Sequence, residues 1–202
     1  MTNIFGSNVS RETSEKLLAF GELVRKWTSK VNLISKASVP ELMDRHIRDS
    51  MQLFYHAPSG GHWADIGSGG GFPGIVIAIL STESEPERRM TLVESDQKKS
   101  AFLRTAIREL GLSANVITAR IEEIEPLKVD ILSARALAGL DSLLEFTERH
   151  LAQDGVALFL KGERWREEHM KAQLRWHYDL EVVKSETNDA AAVLKIKELV
   201  RV

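Results

Sequence analysis

Cysteine is absent from all 202 residues. That removes disulfide frameworks, thiolate metal sites and any mechanism that begins with a cysteine nucleophile, such as covalent attack on a pyrimidine ring. A chain without thiols suits a reducing compartment, and a cytoplasmic location is expected. Long apolar runs are missing too: the longest, Ile75 to Leu80, spans six residues, far short of the roughly 20 that a membrane-spanning helix needs. The stretch Met1 to Glu15 is polar and mixed in charge, without the apolar segment of a secretory leader, so no membrane association is expected. Neither charge sign dominates. With 27 Lys and Arg against 29 Asp and Glu the net charge is −2, and any contact with a polyanion must come from a local patch. The six histidines show neither H-x-x-x-H nor H-E-x-x-H spacing; no metal is expected, and His46 and His150 read as ordinary, partly buried residues. What is present is 43% hydrophobic residues, enough for one substantial core and a small accessory element.

The most informative segment is Asp65-Ile66-Gly67-Ser68-Gly69-Gly70-Gly71-Phe72-Pro73-Gly74, a glycine-rich turn between a strand pattern and a helix pattern. Glycines at 67, 69 and 71 remove the Cβ atoms that keep a ligand away from the backbone, and they permit the positive φ of a sharp turn. Pro73 suits the first turn of the helix that follows. The dinucleotide fingerprint G-x-G-x-x-G calls for a third glycine where this chain has Phe72. The spacing therefore tilts the ligand from NAD toward S-adenosyl-L-methionine (SAM), which brings no pyrophosphate to the helix N-terminus.

Residues 1 to about 58 read as helical. Ser10 is a good N-cap for a helix with Leu17, Phe20, Val24 and Trp27 on one face. A second helix is expected from near Pro40, with Met43, Ile47, Met51 and Phe54 on one face and Asp44, Arg45, Arg48 and Asp49 on the other. The stretch Ala57-Pro58-Ser59-Gly60-Gly61 marks the junction with the main domain. Beyond it, strands at His62 to Ile66, Met90 to Glu94, Asn115 to Ala119, Val129 to Ser133 and Val156 to Lys161 alternate with helices at Pro73 to Leu80, Lys98 to Leu110, Leu140 to Leu151 and Glu163 to Leu174. This alternation predicts a doubly wound, Rossmann-like α/β fold with a parallel sheet covered on both faces. Leu180 to Lys184 and Val193 to Leu199, joined by Thr187-Asn188-Asp189, predict an antiparallel hairpin at the sheet edge.

Glu94 closes the second strand pattern, 27 residues after Gly67, where doubly wound folds place an acid that accepts from ribose hydroxyls. Ile121 and Glu122 follow the third strand: they either meet an adenine ring or simply start a helical turn. Arg135 ends the fourth strand, where such folds deliver residues to the reacting centre; the plainer alternative is a salt bridge that fixes the loop. No Asn/Asp-Pro-Pro-aromatic tetrapeptide stands there, which speaks against methylation of an exocyclic base amine. Trp27, Trp63, Trp165 and Trp176 read as packing residues. Lys98-Lys99 and Lys161-Gly162-Glu163-Arg164 either contact phosphates or are solvated helix starts.

Taken together, these segments resemble the bacterial 16S rRNA guanine-N7 methyltransferase family RsmG, also called glucose-inhibited division protein B. The resemblance covers almost the whole chain. It rests on Trp27, Lys30 and Asn32-Leu33, on Arg45-His46-Ile47-Arg48-Asp49-Ser50, and on the glycine turn ending in Phe72-Pro73-Gly74. Leu92-Val93-Glu94-Ser95, Lys98-Lys99, Phe102-Leu103-Arg104, Arg120-Ile121-Glu122-Glu123, Ser133-Ala134-Arg135-Ala136 and Leu160-Lys161-Gly162 complete it. Thr28 and Ile34 depart from the family's usual asparagine and threonine. The resemblance implies a helical extension at 1–58 and a SAM-dependent methyltransferase domain at 59–202. It implies that Gly67, Phe72, Ile121, Glu122 and Arg135 contact SAM, and Asp65, Gly69, Gly71 and Glu94 are counted with them. The implied substrate is a guanine in 16S rRNA, presented by a small ribosomal subunit during or after assembly, to a monomeric enzyme. Arg45, Lys99 and Lys161 are the first candidates for RNA contacts. No catalytic side chain is expected, because guanine N7 offers a lone pair and carries no proton. Two other functions share parts of the pattern: a nicotinamide-dependent oxidoreductase, and a SAM-binding RNA chaperone without turnover.

Overall fold

The structure, a computed structural model, describes Phe5 and residues 9–202; residues 1–4 and 6–8 of the polar N-terminal stretch lie outside the described residues. The strands are β1 (His62–Ile66), β2 (Arg89–Val93), β3 (Asn115–Ile117), β4 (Val129–Arg135), β5 (Leu151–Lys161), β6 (Trp176–Lys184) and β7 (Ala192–Arg201). They form one seven-stranded sheet in the order β3-β2-β1-β4-β5-β7-β6. The first five pair in parallel, and β7 runs antiparallel between β5 and β6. The chain winds from β1 out to β3 and then returns to β4 on the other side of β1. At such a reversal a crevice opens beyond the C-terminal ends of the two central strands.

Successive strand residues point to opposite faces, and both faces are covered. Trp63 on β1 faces a core shared by α1 (Arg11–Val31), α2 (Asp49–His56), α3 (Gly74–Ser84) and α4 (Gln97–Leu110). Ala64 and Ile66 face the other core, with Leu143 and Leu144 of α5 (Leu140–His150) and Trp165 and Ala172 of α6 (Trp165–Ala172). Trp63 and Trp176 are fully buried, and Trp27 rests on Phe102 with ring centroids 5.7 Å apart; the tryptophans pack as expected.

The N-terminal helices are explained by α3. Its residues from Gly74 to Ser81 are all buried, so it is apolar all round and needs cover on the side away from the sheet. α1 and α2 supply that cover. The Ser10 side chain caps α1 by accepting from the Thr13 amide at 3.1 Å, and Thr13 Oγ1 donates to Glu83 on α3 at 2.7 Å. Phe20 packs its ring 5.2 Å from that of Phe72 in the glycine turn and 6.4 Å from that of Phe102 on α4.

The structure differs from the expected elements where local pattern and long-range packing disagree. The second N-terminal helix opens as π-helix, Leu42–Arg48, before turning α-helical at Asp49. The wider turns shift the helical register, so Asp49 leaves the outer face assigned by α periodicity and points inward. β5 begins at Leu151, not Val156: the sheet takes in residues 151–155 through an irregularity, with Val129 paired to Leu151 and Ile131 to Val156. β3 stops at Ile117, two residues early, α3 runs on to Ser84, and α6 is shorter than Glu163 to Leu174.

Phe20 is fully buried where α1, α4 and the glycine turn meet. Phe20→Ala should lower unfolding stability by about 3 to 5 kcal/mol, the range for a large aromatic removed from a packed core. Urea denaturation checks this; a loss below about 1 kcal/mol would show that the helix is not part of the core.

Candidate active site

The site is built on the turn that links β1 to α3. Gly67, Gly69 and Gly71 have φ of +65°, +53° and +85°, a region L-residues with side chains rarely occupy. The Ser68 amide donates to the Val93 carbonyl at 3.0 Å, and its hydroxyl donates to the Asp65 carbonyl at 2.8 Å. The turn is thus laid across the ends of β1 and β2.

Asp65 holds it from behind. The Ser133 hydroxyl on β4 donates to Asp65 Oδ1 at 2.8 Å, and the Gly74 amide, at the start of α3, donates to Oδ2 at 3.0 Å. Trp63 Nε1 donates in turn to Ser133 Oγ at 2.8 Å. The carboxylate is completely buried, and burial pushes its pKa up to about 6 against the donors that pull it down. Against the expected cofactor contact, Asp65 is absent from the lining of the cavity in front of the turn and spends its acceptors on β4 and α3. Gly71 is absent from that lining too. A Cβ there would meet Ile75 at 2.7 Å and Phe20 at 3.0 Å, so this glycine makes room for the core rather than for a ligand.

In front of the turn lies a cavity of about 580 Å³ lined by Gly67, Gly69, Phe72, Glu94, Ile121, Glu122 and Arg135 among others. Glu94, the residue after β2, accepts from the Gly69 amide and from the Asp96 amide, each at 2.8 Å. Its carboxylate is therefore oriented before any ligand arrives. Ile121 and Glu122 reach the cavity from a single 3₁₀ turn, Ile121–Glu123. Lys99, from the first turn of α4, is partly exposed and also lines this cavity. Leu137, which the sequence reading missed, covers the turn: a Cβ on Gly67 would lie 2.5 Å from its Cδ1.

Arg135 stands at the edge of this cavity and of a second one. Its guanidinium lies 5.1 Å from the centroid of the Phe72 ring. It donates to the Arg45 carbonyl at 3.2 Å, to Asp49 at 3.5 Å and to His46 Nδ1 at 2.7 Å. Arginine only donates, so His46 must accept at Nδ1 and carry its proton on Nε2. Burial, then the charges of Arg135 and Arg45, push the His46 pKa down to about 4, which keeps the ring neutral. Asp49 also accepts from Thr187 Oγ1 at 2.7 Å, tying the hairpin loop to the same cluster. The π-helical register is what brings Asp49 there.

The second cavity, about 940 Å³, includes Arg45, His46, Lys161, Arg164 and Asn188 in its lining and shares Arg135 and Ala136 with the first. Arg45 is exposed and paired with Glu41 at 3.2 Å. The Lys161 ammonium is 2.6 Å from Glu168 and donates to the Ala138 carbonyl at 2.9 Å, and Glu168 accepts from the Leu140 amide at 2.8 Å. It pins the loop after β4 and at the same time lines the second cavity. Among the described residues, no cluster of three His, Asp or Glu could hold a metal ion, and no helix is long and apolar enough to cross a membrane.

The family described as rRNA small subunit methyltransferase G matches residues 13–194. This chain belongs to that family. It is 52% identical over 195 residues to "Ribosomal RNA small subunit methyltransferase G" of Ruegeria sp. (strain TM1040), covering 96% of this chain and 95% of the relative. The relative of the same name from Gluconobacter oxydans (strain 621H) is 43% identical, over 97% and 99% of the two chains. Solved structures show the same fold at low identity. A SAM-dependent methyltransferase from Aquifex aeolicus superposes with a TM-score of 0.63 at 14% identity, over 83% of this chain and 96% of that one. M. jannaschii TYW2 in complex with AdoMet gives 0.59 at 15%, over 87% and 80%. All the residues that build the turn, the Arg135 cluster and both cavities fall inside the family match.

The buried carboxylate makes stability depend on pH in a stated direction. Its folded pKa of about 6 lies above the unfolded carboxyl value, roughly 3.9. The native state therefore binds the extra proton between those values, and stability is lost as pH rises through that window, on the order of 3 kcal/mol in all. Asp65→Asn removes this titration. Denaturation between pH 4 and 7 should show the wild type losing stability relative to the variant as pH rises; parallel curves would contradict the assignment.

Proposed function

We propose that the chain transfers a methyl group from SAM to N7 of a guanine in 16S rRNA, acting as a monomer in the cytoplasm on a small ribosomal subunit or its assembly intermediate. The observation that carries the reading is the meeting of two cavities at Arg135 and Ala136, one on an open glycine turn and the other polar and wide. The first suits the cofactor: its volume of about 580 Å³ lies in the usual range for small-molecule sites, about 300 to 1,000 Å³. A Cβ on Gly69 would have no neighbour closer than 3.7 Å, so the backbone is open to a ligand there. Gly67, Gly69, Phe72, Glu94, Ile121, Glu122 and Arg135 would hold SAM, with Glu94 accepting from the ribose hydroxyls. SAM supplies an electrophilic methyl on a sulfonium centre.

The residues of the chain then have a task of alignment. Guanine N7 carries an in-plane lone pair and loses no proton, so none of the site's groups needs to act as a base. His46 is held neutral with its Nδ1 engaged by Arg135, and Asp65 is sealed behind the turn; both serve the frame. Orientation can recover roughly 7 to 11 kcal/mol of a barrier, and the rigid Arg135 cluster at the junction is suited to supply it. Residues 1–58 serve as the accessory helical extension to the methyltransferase domain at 59–202. For RNA contacts Arg45, Lys99 and Lys161 remain candidates, and Arg164 joins them from the lining of the second cavity.

The test is to incubate labelled SAM with small subunits from a strain lacking the gene and to identify the modified nucleoside by mass spectrometry. Label in 7-methylguanosine of 16S rRNA is expected; binding of SAM and RNA without transfer would instead indicate a chaperone. Glu94→Ala should weaken SAM binding roughly ten- to a hundredfold, the equivalent of about 1.5 to 3 kcal/mol for hydrogen bonds to a charged group. Calorimetry on the folded variant checks this, and an unchanged dissociation constant would remove the ribose role. The single-turnover transfer rate should stay flat across neutral pH. A titrating limb abolished by replacing one Asp, Glu or His would show that a base is required.

A further inference from the structure

His150 ends α5 and is fully buried, and it lines neither cavity. Its ring lies against the backbone of the segment that follows β3: Nε2 is 3.0 Å from the Ile121 carbonyl oxygen, and the Leu127 amide donates to Nδ1 at 3.4 Å. A carbonyl can only accept and an amide N–H can only donate, so one form of the ring fits: the neutral imidazole with its proton on Nε2. Arg149, the preceding residue, donates to the Ile124 carbonyl at 2.7 Å. The last turn of α5 thus grips the 121–127 segment by three backbone groups, while Phe146 of the same helix and Ile121 and Glu122 of the gripped segment line the first cavity.

We propose that His150 is a positioning residue for SAM: it clamps the 121–127 segment so that the wall for the adenine end of the ligand is already in place before binding. This rests on the SAM reading of the first cavity. A wall set in advance does not have to be ordered at the expense of affinity when the ligand arrives. The clamp has a chemical weakness. A proton added at Nδ1 would face the Leu127 N–H, two donors against each other, and the contact would open. Burial lowers the His150 pKa, the Ile121 carbonyl raises it, and the charges of Arg149 and Lys128 lower it, leaving it below the usual imidazole value. The clamp is therefore closed at neutral pH and opens only where the ring gains a proton, below the usual imidazole range.

The experiment measures S-adenosylhomocysteine binding to the full chain by calorimetry, with denaturation run in parallel, for wild type, His150→Leu and His150→Gln. Glutamine can place an amide N–H near the Nε2 position; leucine keeps bulk and donates nothing. At pH 7.5, His150→Leu should weaken binding roughly three- to tenfold, the range for one or two neutral hydrogen bonds. Its kcat at saturating SAM should be kept while KM for SAM rises, and His150→Gln should stay within about twofold of wild type. A folded His150→Leu with wild-type affinity overturns the proposal, as does equal weakening in both variants. Should His150→Leu fail to fold, His150→Asn takes its place: its shorter amide ends near the Nδ1 position and falls short of the Ile121 carbonyl. Weakened binding by folded His150→Asn, with His150→Gln near wild type, supports the clamp, and wild-type affinity in His150→Asn overturns it. A wild type that binds no S-adenosylhomocysteine overturns the SAM reading, and the clamp with it.

Discussion

Behind the glycine turn a carboxylate is cut off from water, and everything in front of the turn depends on how its oxygens are satisfied. Leaving a charged group buried without partners is among the costliest things a fold can do. Asp65 therefore commits one oxygen to Ser133 on β4 and the other to the first amide of α3. Those two bonds fasten the C-terminal ends of the two central strands to the start of the helix that leaves the turn. The crevice of a doubly wound sheet lies between such strand ends, so its width is set here. Trp63 extends the fastening by donating to Ser133 from within the first core.

The second dependence runs through Arg135, two residues beyond Ser133 on the same strand. Its side chain is satisfied almost wholly by the N-terminal segment: a carbonyl from Arg45, a ring nitrogen from His46 and a carboxylate from Asp49. The accessory helices thus do two jobs. They cover α3, which would otherwise expose an apolar face, and they deliver the groups that hold Arg135 between the two cavities. Asp49 and Gln52 also bind the hairpin loop, through Thr187 Oγ1 and the Glu186 amide at 2.7 Å each. The N-terminal and C-terminal ends of the fold therefore meet at the junction where chemistry is proposed.

The alternation of strands and helices was legible in the sequence because strands buried on both faces leave unbroken apolar runs, and β1 was read to the residue. The glycine turn was legible because its demand for positive φ restricts composition. Asp65 was not: a motif letter does not say whether a carboxylate at a strand end faces the ligand or the interior, and only the positions of Ser133 and Gly74 decide it. Gly71 was ambiguous in the same way, since a glycine that admits a ligand and one that admits Phe20 look alike. Asp49 was misplaced because α periodicity cannot foresee a π-helical turn. The ion pair of Lys161 with Glu168 was not legible, because Glu168 lies on the following helix and spacing does not say which way either side chain points.

The most direct test of the central claim, that the cavity before the glycine turn holds the methyl donor beside the junction at Arg135, is a crystal structure of the chain with S-adenosylhomocysteine. The expected result is ligand density along Gly67 and Gly69, with ribose hydroxyls on Glu94, the adenine against Ile121 and the sulfur toward Arg135. Density in the second cavity alone, or none at a saturating ligand concentration, would contradict it.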